Sequence, residues 1–175
     1  MLLDKRIQDK KSLLAGRKAL LCDKGRNGGC DERCSELNVE DKCGYHKRSS
    51  IQNYLWSEHG ILGYILDDTI DSSEPIIERE KEVVKAEGIE AILIFPDGYG
   101  SQIEFLDFSH DKELAGKILL LVKEEFFPYG SNAEGVLTSK IREFIMKGGR
   151  TIPVRKGVDL YKLITDVLLD YFRYN

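Results

Sequence analysis

The stretch AILIFPDGYGSQIE, residues 91–104, decides how this chain folds. Its first five residues, Ala91 to Phe95, are apolar without a break. A half-buried strand alternates apolar and polar positions, so an unbroken run of this length predicts a strand covered on both faces, as in a parallel sheet. Pro96 stops the run. Asp97-Gly98-Tyr99-Gly100 then reads as a turn, because two glycines permit tight backbone and close approach of a ligand. Ser101, followed three residues later by Glu104, has the form of a helix start in which serine caps and glutamate bonds back. The predicted helix runs from Ser101 to Leu114.

Working outward, the same alternation of buried strand and helix recurs on both sides. Lys18 to Cys22, Ile61 to Leu66, Lys117 to Lys123 and Thr151 to Val154 predict further strands. Helices are predicted over Met1 to Gly16, from Ser49 or Ser50 to His59, from Pro75 through Ile76 to Glu87, from Asn132 to Lys147, and from Val158 to Phe172. About five strands that are continuous apolar runs, separated by helices, predict a three-layer doubly wound parallel α/β sheet with right-handed crossovers. The predicted strand order is 2-1-3-4-5. Residues 1–175 form a single domain, interrupted after the first strand by a Cys-rich insertion over residues 23–47. That insertion is longer than an ordinary connection and so calls for a structural or functional reason.

Composition narrows the class. Hydrophobic residues make up 42% and charged residues 32%, an ordinary globular balance. The net charge of -4 and pI of about 5.5 argue against nucleic acid as a partner, which calls for a basic surface. They leave room for a small anion, because a helix N-terminus holds phosphate even in an acidic protein. No apolar run approaches the roughly 20 residues of a membrane span, and the N-terminus is too charged for a signal peptide. A cytoplasmic protein with no membrane partner is expected. Its four cysteines are then reduced thiols or metal ligands.

In an open α/β sheet, ligands bind beyond the carboxyl ends of the strands where strand order reverses. In the predicted order, that point lies between the first and third strands. Asp97 and the Gly98–Ser101 turn would sit there, and free N–H groups at the helix start would favour a phosphate or a ribose oxygen. The segment FPDGYGSQIE resembles the Pro-Gly-Gly-x-Gly-Thr-x-x-Glu signature of LOG-type phosphoribohydrolases. It is also similar to the Pro-Asp-x-Gly-Thr-x-x-Glu turn of nucleoside deoxyribosyltransferases, and the layout resembles TIR domains that cleave NAD. The likeness covers about a third of the chain. Asp97 departs from the first glycine of the phosphoribohydrolase signature, that family's second Gly-rich segment is missing, and the turn is one residue longer than in the transferases.

What these families have in common is a glutamate acting at the anomeric carbon of a nucleotide. The resemblance therefore implies a TIR-like or Rossmann-like fold, a nucleotide as small-molecule partner, and cleavage of a ribose C1′–N bond with no cofactor required for the chemistry. It makes Glu104 the catalytic glutamate, puts Ser101 in the threonine position and Asp97 in that of the transferase aspartate, and makes Arg79 a nucleotide contact. The alternative for Arg79 is a solvated helix charge paired with Glu78 or Glu82. From the chemistry, a carboxylate beside C1′ stabilises or attacks the positive charge that builds on the ribose. A second carboxylate activates water or holds a hydroxyl, with Asp97, Asp67 and Asp68 as candidates. Tyr99 is a candidate to stack on a base or to hydrogen-bond the sugar. The other readings are a nucleotide-signal sensor without turnover and a TIR-like interaction module.

The insertion carries Cys30, Cys34, Cys43 and His46, four soft ligands that suit a structural zinc. The alternative is free thiols in a loop. Trp56 and the aromatics of Tyr171 to Tyr174 are read as core or as a homo-oligomer contact.

Overall fold

The computed structural model describes residues 12–23, 32–66, 76–129 and 135–175. Its sheet has five strands, all parallel, in the order β2-β1-β3-β4-β5. They are β1 (Lys18–Cys22), β2 (Leu62–Tyr64), β3 (Ala91–Ile94), β4 (Ile118–Lys123) and β5 (Arg150–Val154). The helices are α1 (Gly44–His59), α2 (Ile76–Ala86), α3 (Tyr99–His110), α4 (Val136–Met146) and α5 (Leu160–Tyr174). This is the predicted Rossmann-like architecture. Two short 3-10 turns, Glu32–Glu36 and Val39–Asp41, lie between β1 and α1.

The central strands are apolar throughout because both faces are covered. Every residue of β3 is buried. Successive side chains point to opposite faces, and the core divides accordingly. Ala91, Leu93 and Phe95 pack with Ile51 and Leu55 of α1 and Ile164 and Leu168 of α5. Ile92 and Ile94 pack with Val84 of α2, Phe105 and Phe108 of α3 and Ile141 of α4. The pairing Leu20↔Ile92↔Ile118 sets the register across the middle of the sheet.

Two helix starts differ from expectation. α1 begins at Gly44, ahead of Ser49 and Ser50, so Gly44 to Lys47 belong to the helix and not to the insertion. Cys43 is its extended N-cap residue, and its carbonyl accepts the Lys47 N–H at 2.8 Å. Gly60 ends α1 in the left-handed conformation at φ 66, where glycine carries no Cβ strain. α3 begins at Tyr99 rather than Ser101, with Gly98 extended before it. It stops at His110 because the Asp111 carboxylate accepts the Glu113 N–H at 2.9 Å and turns the chain.

α1 and α5 are joined by more than apolar contact. The rings of Tyr54 and Tyr161 stack at 4.4 Å between centroids. Thr165 Oγ1 lies 3.2 Å from the Tyr54 hydroxyl and 3.1 Å from His59 Nε2. Tyr171 and Phe172, read as core or oligomer contact, are core residues, whereas Trp56 and Tyr174 are exposed. Residues 12–14 are helical, but most of the expected N-terminal helix, Pro75 and the expected helix start at Asn132 lie outside the described residues. No helix among the described residues is long and apolar enough to cross a membrane.

At the end of α4 the backbone returns so tightly that a Cβ on Gly149 would overlap the Phe144 ring. The Gly149 N–H donates to the Phe144 carbonyl at 2.9 Å and fixes this approach. Gly149→Ala is expected to lower stability by about 2 kcal/mol through overpacking. Urea unfolding measures this, and an unchanged midpoint would show that the Phe144 ring moves aside freely.

Candidate functional site

The carboxyl ends of β1 and β3 are held together beyond the strands themselves, since the Phe95 N–H donates to the Cys22 carbonyl at 2.8 Å. Polar side chains begin directly after this point. Alternation sends them to opposite sides of the sheet, and two charged clusters result.

The first cluster centres on Lys47 in the opening turn of α1. Its ammonium lies 3.1 Å from Asp23, which follows β1, and 3.1 Å from Asp97, which follows β3. Lys123, at the end of β4, approaches Asp97 at 3.4 Å. The ammonium of Lys47 also stands 5.2 Å from the centre of the Phe95 ring. The Asp23 side chain is fully buried and that of Lys47 nearly so, at 6%. Burial alone pulls the Lys47 ammonium down, but the Asp23 and Asp97 carboxylates more than reverse this, and its pKa ends above the ordinary value.

A cavity of about 730 Å³ opens beside this cluster. Phe95, Leu121, Val154 and Leu160 supply its apolar side, with Lys47, Asp97 and Lys123 at one end. Asn38, Glu40 and Asp41 of the segment before α1 also line it, as do Arg155 and Lys156 of the loop after β5. The volume suits a nucleotide-sized ligand, and mixed charge around an apolar surface is usual for such sites.

The second cluster lies on the α2–α4 side. Glu104, half-buried on α3, is hydrogen-bonded to the Cys22 thiol at the end of β1. Burial pushes the Cys22 thiol well up. The charges of Glu104 and Glu80 add to this, and Arg48 works against it. Cys22 therefore stays protonated at neutral pH and serves as a donor. Arg48 and Glu80 are buried at 1% and 4% exposure. Neither was singled out from the sequence, yet a signal exists. Glu80 precedes the buried Val84 by one helical repeat, and Arg48 and Lys47 precede the buried Ile51 in the same way. A charged residue on the apolar stripe of a helix must be paired inside the fold.

The turn itself differs in detail from the predicted cap. Ser101 is not the N-cap residue but lies inside the first turn, fully buried. Its hydroxyl accepts the Gly98 N–H at 3.3 Å and donates to the Gly98 carbonyl at 3.1 Å, so it is spent within the turn. Glu104 reaches Cys22 rather than folding back on Ser101. Tyr99 is 81% exposed, and Gly100 faces open space. Arg79 sits on the exposed face of α2. Asp67, Asp68 and Cys30 lie outside the described residues.

Cys34, Cys43 and His46 converge, as the insertion's soft donors were expected to. Their ligand atoms all lie within 4.8 Å of one another, and Cys43 Sγ is 3.4 Å from His46 Nδ1. The Cys43 N–H donates to Cys34 Sγ at 3.1 Å. Two sulfurs and an imidazole at these separations could hold a metal ion.

No protein-family model matches this chain, and no curated protein matches it.

Lys47→Met removes the cation from between a fully buried and a partly buried carboxylate. The expected loss is about 3 kcal/mol at neutral pH, the usual cost of breaking one side of a buried pair. Because the Lys47 pKa is raised on folding, its contribution is complete below the ordinary lysine value of 10.5 and fades as pH rises through the higher folded value. Urea titrations at neutral and strongly alkaline pH check both points. Equal stability of the two proteins at neutral pH would remove the pair from the account of the fold.

Proposed function

We propose that this protein binds a nucleotide at the carboxyl edge of its sheet and cleaves the ribose C1′–N bond, with Glu104 as the catalytic carboxylate. NAD and nucleoside monophosphates are the substrate class. The observation that carries this reading is the position of Glu104 on the helix after β3, against the end of β1, where the strand order reverses. The resemblance of FPDGYGSQIE to nucleotide N-glycosidases supports the same residue.

In this chemistry the C1′–N bond breaks, and its electron pair leaves with the base. The Glu104 carboxylate faces the developing positive charge on the ribose and either stabilises it or adds to C1′ before water does. The water that completes the reaction gives its hydroxyl to C1′ and its proton to solvent or to the departing base. Asp97 is engaged by Lys47 and Lys123. Asp97 lines the cavity and Glu104 does not, so Asp97 would orient a ribose hydroxyl of a ligand that spans the carboxyl edge between the two clusters. Tyr99, exposed at the helix start, is available to stack on the base. Gly100 faces open space and leaves the backbone there open to the ligand, whereas Gly98 is buried with its N–H and carbonyl engaged by Ser101. Arg79 and Asp67 remain proposed contacts.

The second reading is a sensor that binds the nucleotide without turnover. The engagement of Glu104 with the Cys22 thiol favours it, because substrate must displace that contact before the carboxylate can act. A TIR-like interaction module, with Trp56 and Tyr174 exposed for self-association, is the third. For the cluster of Cys34, Cys43 and His46 we propose zinc in a structural role, with Cys30 as a fourth ligand. A cytoplasmic setting would keep these thiols reduced.

Incubation with NAD and a panel of nucleoside monophosphates, followed by chromatography of released base, tests the enzyme. Glu104→Gln is expected to reduce release by about 10³-fold, within the range for a positioned carboxylate. Undiminished release would remove Glu104 from the mechanism. Tight nucleotide binding without release would establish the sensor instead.

A further inference from the structure

The segment from Cys34 to Lys47 does three things at once. It brings the soft ligands together, it builds one wall of the cavity, and it starts α1. Its 3-10 turn Val39–Asp41 lies between the two cysteines, and Asn38, Glu40 and Asp41 face the cavity. Cys43 contributes a ligand sulfur, and its carbonyl also accepts the Lys47 N–H that opens the helix. His46 stands immediately before Lys47, whose ammonium joins Asp23 to Asp97.

Among the described side chains, the wall buries little of its own against the core. Between Cys34 and Cys43, Val39 alone is buried among the described side chains. One side-chain bond from this stretch to α1 is Lys42 Nζ to Ser50 Oγ at 2.9 Å. Burial of a single valine does not offset the conformational entropy lost in ordering the polar residues around it. A metal at the cluster supplies what is missing, because it ties the start of the wall (Cys34) to its end (Cys43) and to α1 (His46).

We propose that metal held by Cys34, Cys43 and His46 is a clamp that builds the Asn38–Asp41 wall and sets Lys47 against Asp97, so that the cavity is a formed ligand site only in the metal-loaded protein. This rests on the reading of the cluster as a zinc site and adds to it a role in ligand binding. The five-stranded core does not need the clamp, since its packing between the α1–α5 and α2–α4 layers involves none of the three ligands.

Hydrogen–deuterium exchange tests the proposal on the full chain, loaded with Zn²⁺ to measured stoichiometry and then stripped with a chelator. Stripping is expected to speed exchange at least about tenfold over residues 38–48, while residues 118–123 of β4 keep their protection. Cys43→Ser and His46→Ala are expected to exchange like the stripped protein whether or not Zn²⁺ is added. In parallel, amine labelling of Lys47 should rise on stripping. If Zn²⁺ binds at one equivalent but exchange over 38–48 is unchanged by its removal, the clamp is wrong and the zinc site stands. If less than one equivalent binds, the zinc reading fails, and the clamp fails with it. If β4 loses protection as well, the metal holds the whole fold, and a local clamp is overturned.

Discussion

A parallel sheet has no face to offer to water, and the rest of this structure follows from that constraint. The backbone crossovers lay helices on both faces, so β3 must be apolar at every position and its neighbours nearly so. Polar chemistry is thereby driven off the faces and out to the carboxyl edge. Cys22 and Asp23 show how abrupt the change is. Cys22 still packs with the apolar layer of α2, α3 and α4, while the next residue carries a buried charge that meets Lys47.

Charge at that edge is affordable only in compensated groups. Lys47 joins carboxylates from the ends of two strands, and the Glu104 cluster adds a protonated thiol, a guanidinium and a second carboxylate. The two groups differ in character. Lys47, Asp23 and Asp97 hold each other in a geometry that resists change, since removing any one member strands another in a desolvated place. Glu104 instead shares its surroundings with the neutral Cys22 thiol and with the charges of Arg48 and Glu80.

The sheet was legible in the sequence because its signal is local. Runs such as Ile92-Leu93-Ile94 and Leu119-Leu120-Leu121 declare strands buried on both faces, and glycines such as Gly60 mark where helices end. The strand order 2-1-3-4-5 is also found as expected, although crossover handedness alone does not dictate it. Helix starts were harder to read for a physical reason. Lys47 and Arg48 look like loop residues until their partners are known, and those of Lys47, Asp23 and Asp97, are remote in sequence, Asp97 by fifty positions. Ser101 looked like a cap because Ser-x-x-Glu is a generic start signal, whereas the extended Gly98 had already begun the helix. Cys34, Cys43 and His46 were legible as ligands by residue type, but only their folded separations bring them into one group.

The link between α1 and α5 gives this arrangement a mechanical side. Tyr54 and His59, in the second half of α1, are fastened to Tyr161 and Thr165 by stacking and hydrogen bonds. The opposite end of α1 is held by charges and by the cysteine–histidine cluster. α1 is therefore fastened at both ends, by the aromatic stack to α5 and by Lys47 to the ends of two strands, so the helix couples the edge of the cavity to the core.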